Sequence, residues 1–340
     1  MNILLTGGLG FIGSHAASVL VAKGHNPILL DNLCNSQIET LSRLERIAGK
    51  KLVFCDADVR DTNAVSQLLN EHQIDAVMHF AGLKSVAESE SEPLKYYDNN
   101  VTGTISLLQA MQEVGLRKLI FSSSATVYGI PQYLPYDENH PTVPINTYGR
   151  TKLQVEYILR DLAQSDPSWS IACLRYFNPV GAHASGLIGE LPKGIPNNLM
   201  PYVCQVASKK LPHLKIFGDD YDTPDGTGQR DYIHVMDLAE GHLATLLYLE
   251  NQSGCHFINL GTGQPYSVKQ LVAAFEKAIG NTINQQIEAR RSGDLPVYYA
   301  AADKAKALLG WEAGRTLESM CDSAWNFHNQ SMNINDSNMI

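Results

Sequence analysis

Positive charge is scarce in this 340-residue chain. Lys and Arg total 26 against 35 Asp and Glu, a formal net charge of −9. Such a balance argues against broad contact with nucleic acid or an anionic membrane, so neither is expected as a partner. A local pocket can still be positive, and a phosphate-bearing ligand stays open. Cysteine is also sparse: six residues, at positions 34, 55, 173, 204, 255 and 321, with no CxxC pair. That excludes a disulfide framework and predicts reduced, mostly buried thiols in a cytoplasmic protein. His15, His79 and His234 show no metal-ligand spacing, so they are read as packing residues and no metal is expected. No apolar run approaches transmembrane length. No signal-peptide pattern precedes the first apolar run, Ile3-Leu4-Leu5. What is present is a 44% hydrophobic, 18% charged chain, long enough for two domains or one domain with a lobe.

The N-terminus reads strand, glycine turn, helix. Ile3-Leu4-Leu5 suits a buried parallel strand, and Gly7, Gly10 and Gly13 follow at intervals of three. The first glycine permits a tight turn, the second a close approach to a pyrophosphate, the third close helix packing. The helix then runs to about Lys23, and its N-terminal amides suit a pyrophosphate. A second strand, Pro27 to Leu30, ends at Asp31, placed to bond an adenosine ribose. A carboxylate there repels a 2′-phosphate and favours NAD over NADP. Asn32 to Ser36 should loop around the adenosine side. Further strands are predicted at 52–55, 76–80, 119–121 and 171–175. Asp58 and Val59 sit where a chain can bond and cover an adenine, and Asp61 should cap the helix after it. Ala81-Gly82 at a strand end suggests backbone passing close to a cofactor. One long amphipathic helix is predicted from Pro93 to about Val114. This alternation argues for an α/β fold, a doubly wound parallel sheet with ligands at the carboxyl ends of its strands.

The fifth strand delivers Ser122, Ser123 and Ser124 to that end. Tyr148 and Lys152 follow, i and i+4 on one predicted helix face. An ammonium beside a phenol favours phenolate, so Tyr148 is read as a base whose pKa Lys152 lowers, with Ser124 holding the same substrate oxygen. Arg150-Thr151 is read as a solvent face. After Asn178 come loops rich in Gly and Pro, the sign of a lobe over the strand ends. Arg230 and Arg291 lie in it, and guanidinium forks suit a diphosphate. Domains are expected at 1–177, with 234–260 returning to it, then a lobe of 178–233 and 261–330. Ser331 to Ile340 reads as a disordered polar tail.

These motifs resemble the extended short-chain dehydrogenases/reductases, and among them the UDP-glucose 4-epimerase family. The likeness rests on Thr6 to His15, Asp31-Asn32-Leu33, His79 to Lys84, Tyr97 to Val101, Ser122 to Gly129 and Tyr148 to Lys152. It continues through Leu174 to Ala182, Gly194 to Pro201, Gly226 to Val235 and Arg290 to Pro296. The resemblance implies a Rossmann-type sheet with a smaller C-terminal substrate lobe. It implies reversible epimerisation of UDP-glucose and UDP-galactose at carbon 4, through a 4-keto sugar, with tightly held NAD. Ser124, Tyr148 and Lys152 are then catalytic. The implied NAD contacts are Gly7, Gly10, Phe11, Ile12, Gly13, Asp31, Asn32, Leu33, Cys34, Asn35, Ser36, Asp58, Val59, Phe80, Ala81, Gly82, Lys84, Asn99 and Phe177, besides the three catalytic residues. The implied substrate contacts are Lys84, Phe177, Asn178, Asn198, Leu199, Lys215, Phe217, Arg230, Tyr232, Val268, Arg291, Asp294 and Tyr298, besides Ser124 and Tyr148. Related 4,6-dehydratases carry an Asp-Glu pair where this chain reads Ala125-Thr126, which argues against elimination. A bulky Tyr298 suggests exclusion of N-acetylated sugars; an epimerase for N-acetylated or uronate sugars is the alternative, and a non-catalytic NAD sensor a remoter one. Homodimer formation through the helices at 93–114 and 148–163 is also implied.

Overall fold

A computed structural model describes residues 1–192, 196, 198–291 and 293–337. The first half alternates as its apolar runs require. The strands are β1 (Asn2–Thr6), β2 (Asn26–Asp31), β3 (Val53–Asp56), β4 (Ala76–His79), β5 (Lys118–Ser124) and β6 (Ser170–Tyr176). Three short strands follow, β7 (Asn178–Val180), β8 (Leu214–Phe217) and β9 (Gln229–His234), and then β10 (Gly254–Leu260). The main sheet runs β10-β6-β5-β4-β1-β2-β3, every pair parallel.

The helices of this half are α1 (Phe11–Ala22), α2 (Glu39–Ala48), α3 (Thr62–Glu71), α4 (Val86–Ser91), α5 (Pro93–Tyr96), α6 (Gly103–Glu113) and α7 (Thr147–Ser165). Then come α8 (Leu199–Ala207), α9 (Val235–Tyr248), α10 (Val268–Ile279), α11 (Asp303–Leu309) and α12 (Leu317–Ser337). The period of two along each strand sorts its side chains into two cores. Ile3 and Leu5 of β1 join Ala17 and Leu20 of α1 and Leu238 of α9 on one face. Leu4 joins Leu68 of α3, Met111 of α6 and Leu159 of α7 on the other.

A third core lies beyond the strand ends, where Val203, Leu271, Phe275 and Met320 pack with Ile216. Two small sheets support it: β11 (Pro265–Ser267) and β13 (Val297–Tyr298) flank β9, which also pairs β7, and β12 (Gln285–Glu288) pairs β8. Ser267 starts α10 with a full capping box to Gln270.

Three expectations change. The long helix at 93–114 is interrupted: a π-helical segment, Tyr97–Thr102, separates α5 from α6. Its wider turn carries Asn100 into the core, where the side chain accepts from Leu83 N at 2.8 Å and donates to Leu83 O at 3.0 Å. Thr151 is buried rather than solvent-facing, and its hydroxyl accepts from Asn100 Nδ2 at 3.1 Å. Finally, α12 runs on to Ser337, into the segment expected as a tail. Extending an existing helix costs far less than starting one. Residues 338–340 lie outside the described residues.

Candidate active site

A cleft of about 840 Å³ runs along the carboxyl ends of the main sheet and under the third core. The glycine loop forms one end. Gly7 holds a positive φ of 67°, and a Cβ on Gly13 would stand 2.3 Å from Gly7 O. Only glycine lets α1 start this close to β1. The first-turn amides of α1 have no intrahelical acceptor, and Phe11, Ile12 and Gly13 line the cleft. Asp31 is buried at the end of β2 and accepts from Leu9 N at 3.0 Å and Ser36 Oγ at 2.7 Å. An amide cradle followed by a buried carboxylate one strand over fits a dinucleotide with a free adenosine 2′-hydroxyl.

The residues expected to be catalytic meet at the middle. Ser124 ends β5, and Thr126 donates its hydroxyl to Ser124 Oγ at 2.9 Å. Asn146 caps α7 by accepting from Gly149 N at 2.7 Å, which fixes the turn carrying Tyr148. Lys152 Nζ donates to Ser122 O at 2.8 Å and stands 5.9 Å from the Tyr148 ring centre. Burial pushes Tyr148 up to about 12, partly offset by its hydrogen bond with Ser124. Burial also brings Lys152 down to about 8, partly offset by Glu156. Within the protein alone, desolvation therefore outweighs the expected effect of the ammonium on the phenol. Beneath them lies a buried ion pair, Arg175 Nη2 to Glu156 Oε2 at 2.7 Å, with Ser123 Oγ donating to Glu156 at 2.6 Å.

The far end is basic and aromatic. Arg291 stacks 3.7 Å over the Phe217 ring, and Arg230 faces Asp294 at 3.5 Å while donating to Leu295 O. Lys215, Tyr232, Val268, Asn178, Asn198, Leu199 and Phe177 also line this part. Lys84 reaches across the cleft to Glu190 at 2.8 Å, and Asn198 donates to the same carboxylate oxygen at 2.7 Å.

Most residues expected at the site line this one cleft, Asn32, Cys34, Asn35, Val59, Phe80, Ala81, Gly82 and Asn99 among them. Three do not. Leu33 turns away at a φ of 58°, its amide on Asp31 Oδ1. Asp58 is ion-paired with Arg60, whose guanidinium holds the carboxyl far below its usual range, and accepts from Asn32 Nδ2 at 2.9 Å. Tyr298 stands behind the wall, its ring centre 5.1 Å from those of Phe177 and Tyr136 and its buried hydroxyl without a partner. The sequence reading missed Glu190, Thr126 and Tyr176, which line the cleft. Thr126 alone carried a signal, being two residues from Ser124. Among the described residues, no group of three or more His, Cys, Asp or Glu is arranged to hold a metal.

The chain matches the family model described as GDP-mannose 4,6 dehydratase over residues 4–324. It is 54% identical over 335 residues to the UDP-glucose 4-epimerase of Bacillus subtilis (strain 168), covering 98% of both chains. Among solved structures it is similar to the UDP-glucose 4-epimerase of Stenotrophomonas maltophila with bound NAD and formylated UDP-arabinopyranose. That match has a TM-score of 0.97 at 50% identity and covers 98% of this chain and 99% of that one. The Bifidobacterium longum enzyme in complex with NAD+ and UDP matches with a TM-score of 0.94 at 50% identity, with the same coverage. With likeness of this extent over nearly its whole length, the chain belongs to the UDP-glucose 4-epimerase family of extended short-chain dehydrogenases/reductases.

Proposed function

We propose that this protein interconverts UDP-glucose and UDP-galactose at carbon 4 through a transient 4-keto sugar. One observation carries the reading: Ser124, Tyr148 and Lys152 line the same cleft as the glycine cradle with Asp31 and the Arg230–Arg291 pair. Carbon 4 bears no acidic C–H, so direct deprotonation would be slow; oxidation at that carbon makes inversion tractable. When bound, NAD supplies a hydride acceptor that can give the hydride back, with no net redox change. Gly7, Gly10, Gly13 and the α1 amides would hold its pyrophosphate, Asp31 its adenosine ribose and Lys152 the second ribose.

Tyr148 takes the proton from the 4-hydroxyl and later returns it. Ser124 holds the same oxygen, with Thr126 donating into Ser124 and so orienting the serine proton toward substrate or Tyr148. Arg230 and Arg291 anchor the diphosphate, and Phe217 covers the uracil side. The anchored nucleotide lets the sugar turn and present its other face to one fixed base. Tyr298 backs Phe177, which limits the room beside the sugar and favours unsubstituted hexoses over N-acetylated ones.

The protein acts in the cytoplasm, consistent with six cysteines that form no disulfide. It works as a homodimer: Leu94 is 82% exposed and Tyr157 42%, on α5 and α7 respectively. Leu94→Asp with Tyr157→Asp should halve the mass seen by sedimentation; an unchanged mass would remove this face from the interface. The activity itself is tested with NAD-loaded, folded protein and UDP-galactose. UDP-glucose should appear, and UDP-N-acetylgalactosamine and UDP-galacturonate should turn over much more slowly. No UDP-glucose would sink the reading.

A further inference from the structure

Tyr176, at the end of β6, lines the cleft and pairs in register with Ser124 on the neighbouring strand. Its hydroxyl is hydrogen-bonded to Nε2 of His242, a fully buried residue of α9. The other ring nitrogen, Nδ1, lies 2.8 Å from Leu238 O. A backbone carbonyl can only accept, so Nδ1 carries a proton. Burial holds the ring neutral, with its pKa brought down to about 4. A neutral imidazole has one N–H, so Nε2 is bare and accepts. Tyr176 must then donate its only proton backward, into His242. The Phe80 ring, another part of the cleft wall, lies 4.9 Å from the His242 ring centre and helps hold it.

We propose that His242, which does not line the cleft, is a positioning residue that makes Tyr176 a hydrogen-bond acceptor toward the cleft. Ser122, also in the cleft wall, is the protein group that bonds this phenol from that side, and a ligand group that bonds it must likewise be a hydrogen-bond donor. Resting on the NAD reading above, that donor is the amide NH₂ of the nicotinamide ring. The device selects an amide-bearing cofactor without His242 touching it.

The test is cofactor exchange on the purified holoprotein. It is equilibrated with an excess of NAD and 3-acetylpyridine adenine dinucleotide, in which a methyl replaces the amide NH₂. The bound fraction is released and separated by chromatography. The wild type should prefer NAD on the order of tenfold, the difference one hydrogen bond makes. His242→Met frees Tyr176 to donate to the carbonyl that both dinucleotides share, and should bring the preference to within about twofold. Tyr176→Phe should do the same. His242→Gln keeps an acceptor for Tyr176 and a donor for Leu238 O, and should restore the preference. A His242→Met protein with the wild-type ratio overturns the proposal.

The wild type also decides it without mutation. The NAD analogue with a carboxylate in place of the amide offers only acceptors and should bind at least about tenfold more weakly than NAD. Equal or tighter binding shows that Tyr176 donates, and overturns the proposal. A folded protein that holds no dinucleotide at all instead contradicts the NAD reading on which it rests.

Discussion

In the proposed mechanism, Tyr148 is the residue on which the chemistry turns. Tyr148→Phe removes only the hydroxyl and leaves the glycine cradle, Asp31 and the Tyr148 ring in place. Turnover should fall by roughly 10²–10⁴, the share typical of a positioned acid–base group, while bound NAD is retained. Turnover assay beside absorbance of the holoprotein reads both effects; unchanged turnover removes Tyr148 from the mechanism. That Ser124, Tyr148 and Lys152 share one cleft was legible because strand end and i, i+4 spacing are local rules. Tyr176 and His242 were not, because 66 positions separate them and their contact exists only once α9 packs on the sheet. The balance of pKa effects was also hidden. Residue types announce a phenol near an ammonium, but not that both are buried enough for desolvation to dominate.

At the scale of elements, the strands of the main sheet were the most readable part. A parallel strand covered on both faces must be apolar throughout, as Ile28-Leu29-Leu30 is. The interrupted helix was unreadable, since a π turn has no propensity signature of its own. Its consequence is concrete. Asn100 ties the Leu83 backbone on both sides, one residue before Lys84 and one after Gly82. Asn100→Leu leaves a buried N–H and C=O unpaired, at a cost of about 2–4 kcal/mol. A thermal melt should show the loss, and the holoprotein should release NAD more readily. Wild-type melting and retention would show that the wide turn does not hold that loop. The short strands β7, β11 and β13 escaped the sequence too. Each has two or three residues, and each pairs with β9 across a long stretch of chain.

The whole molecule carries a pH liability in its cores. Burial is the first cause in each of five histidines: His15 and His79 are lowered to about 3, and His234, His242 and His328 to about 4. An ordinary histidine titrates near 6.5, so below that pH the unfolded chain binds protons that the folded chain refuses. The stability of the neutral rings is full above pH 6.5 and is lost as pH falls toward 3–4. The urea midpoint at pH 5 should lie well below that at pH 7.5; a midpoint that rises on acidification contradicts the assignment.

The arrangement of two sheet-covering cores, a lobe core and one cleft between them makes a further demand. The hydrogen taken from carbon 4 must stay in the cleft while the sugar turns, and come back to the same carbon. UDP-galactose deuterated at carbon 4, turned over in ordinary water, tests this most directly. The account predicts UDP-glucose that keeps the deuterium at carbon 4. Product with the label exchanged for solvent hydrogen would contradict it.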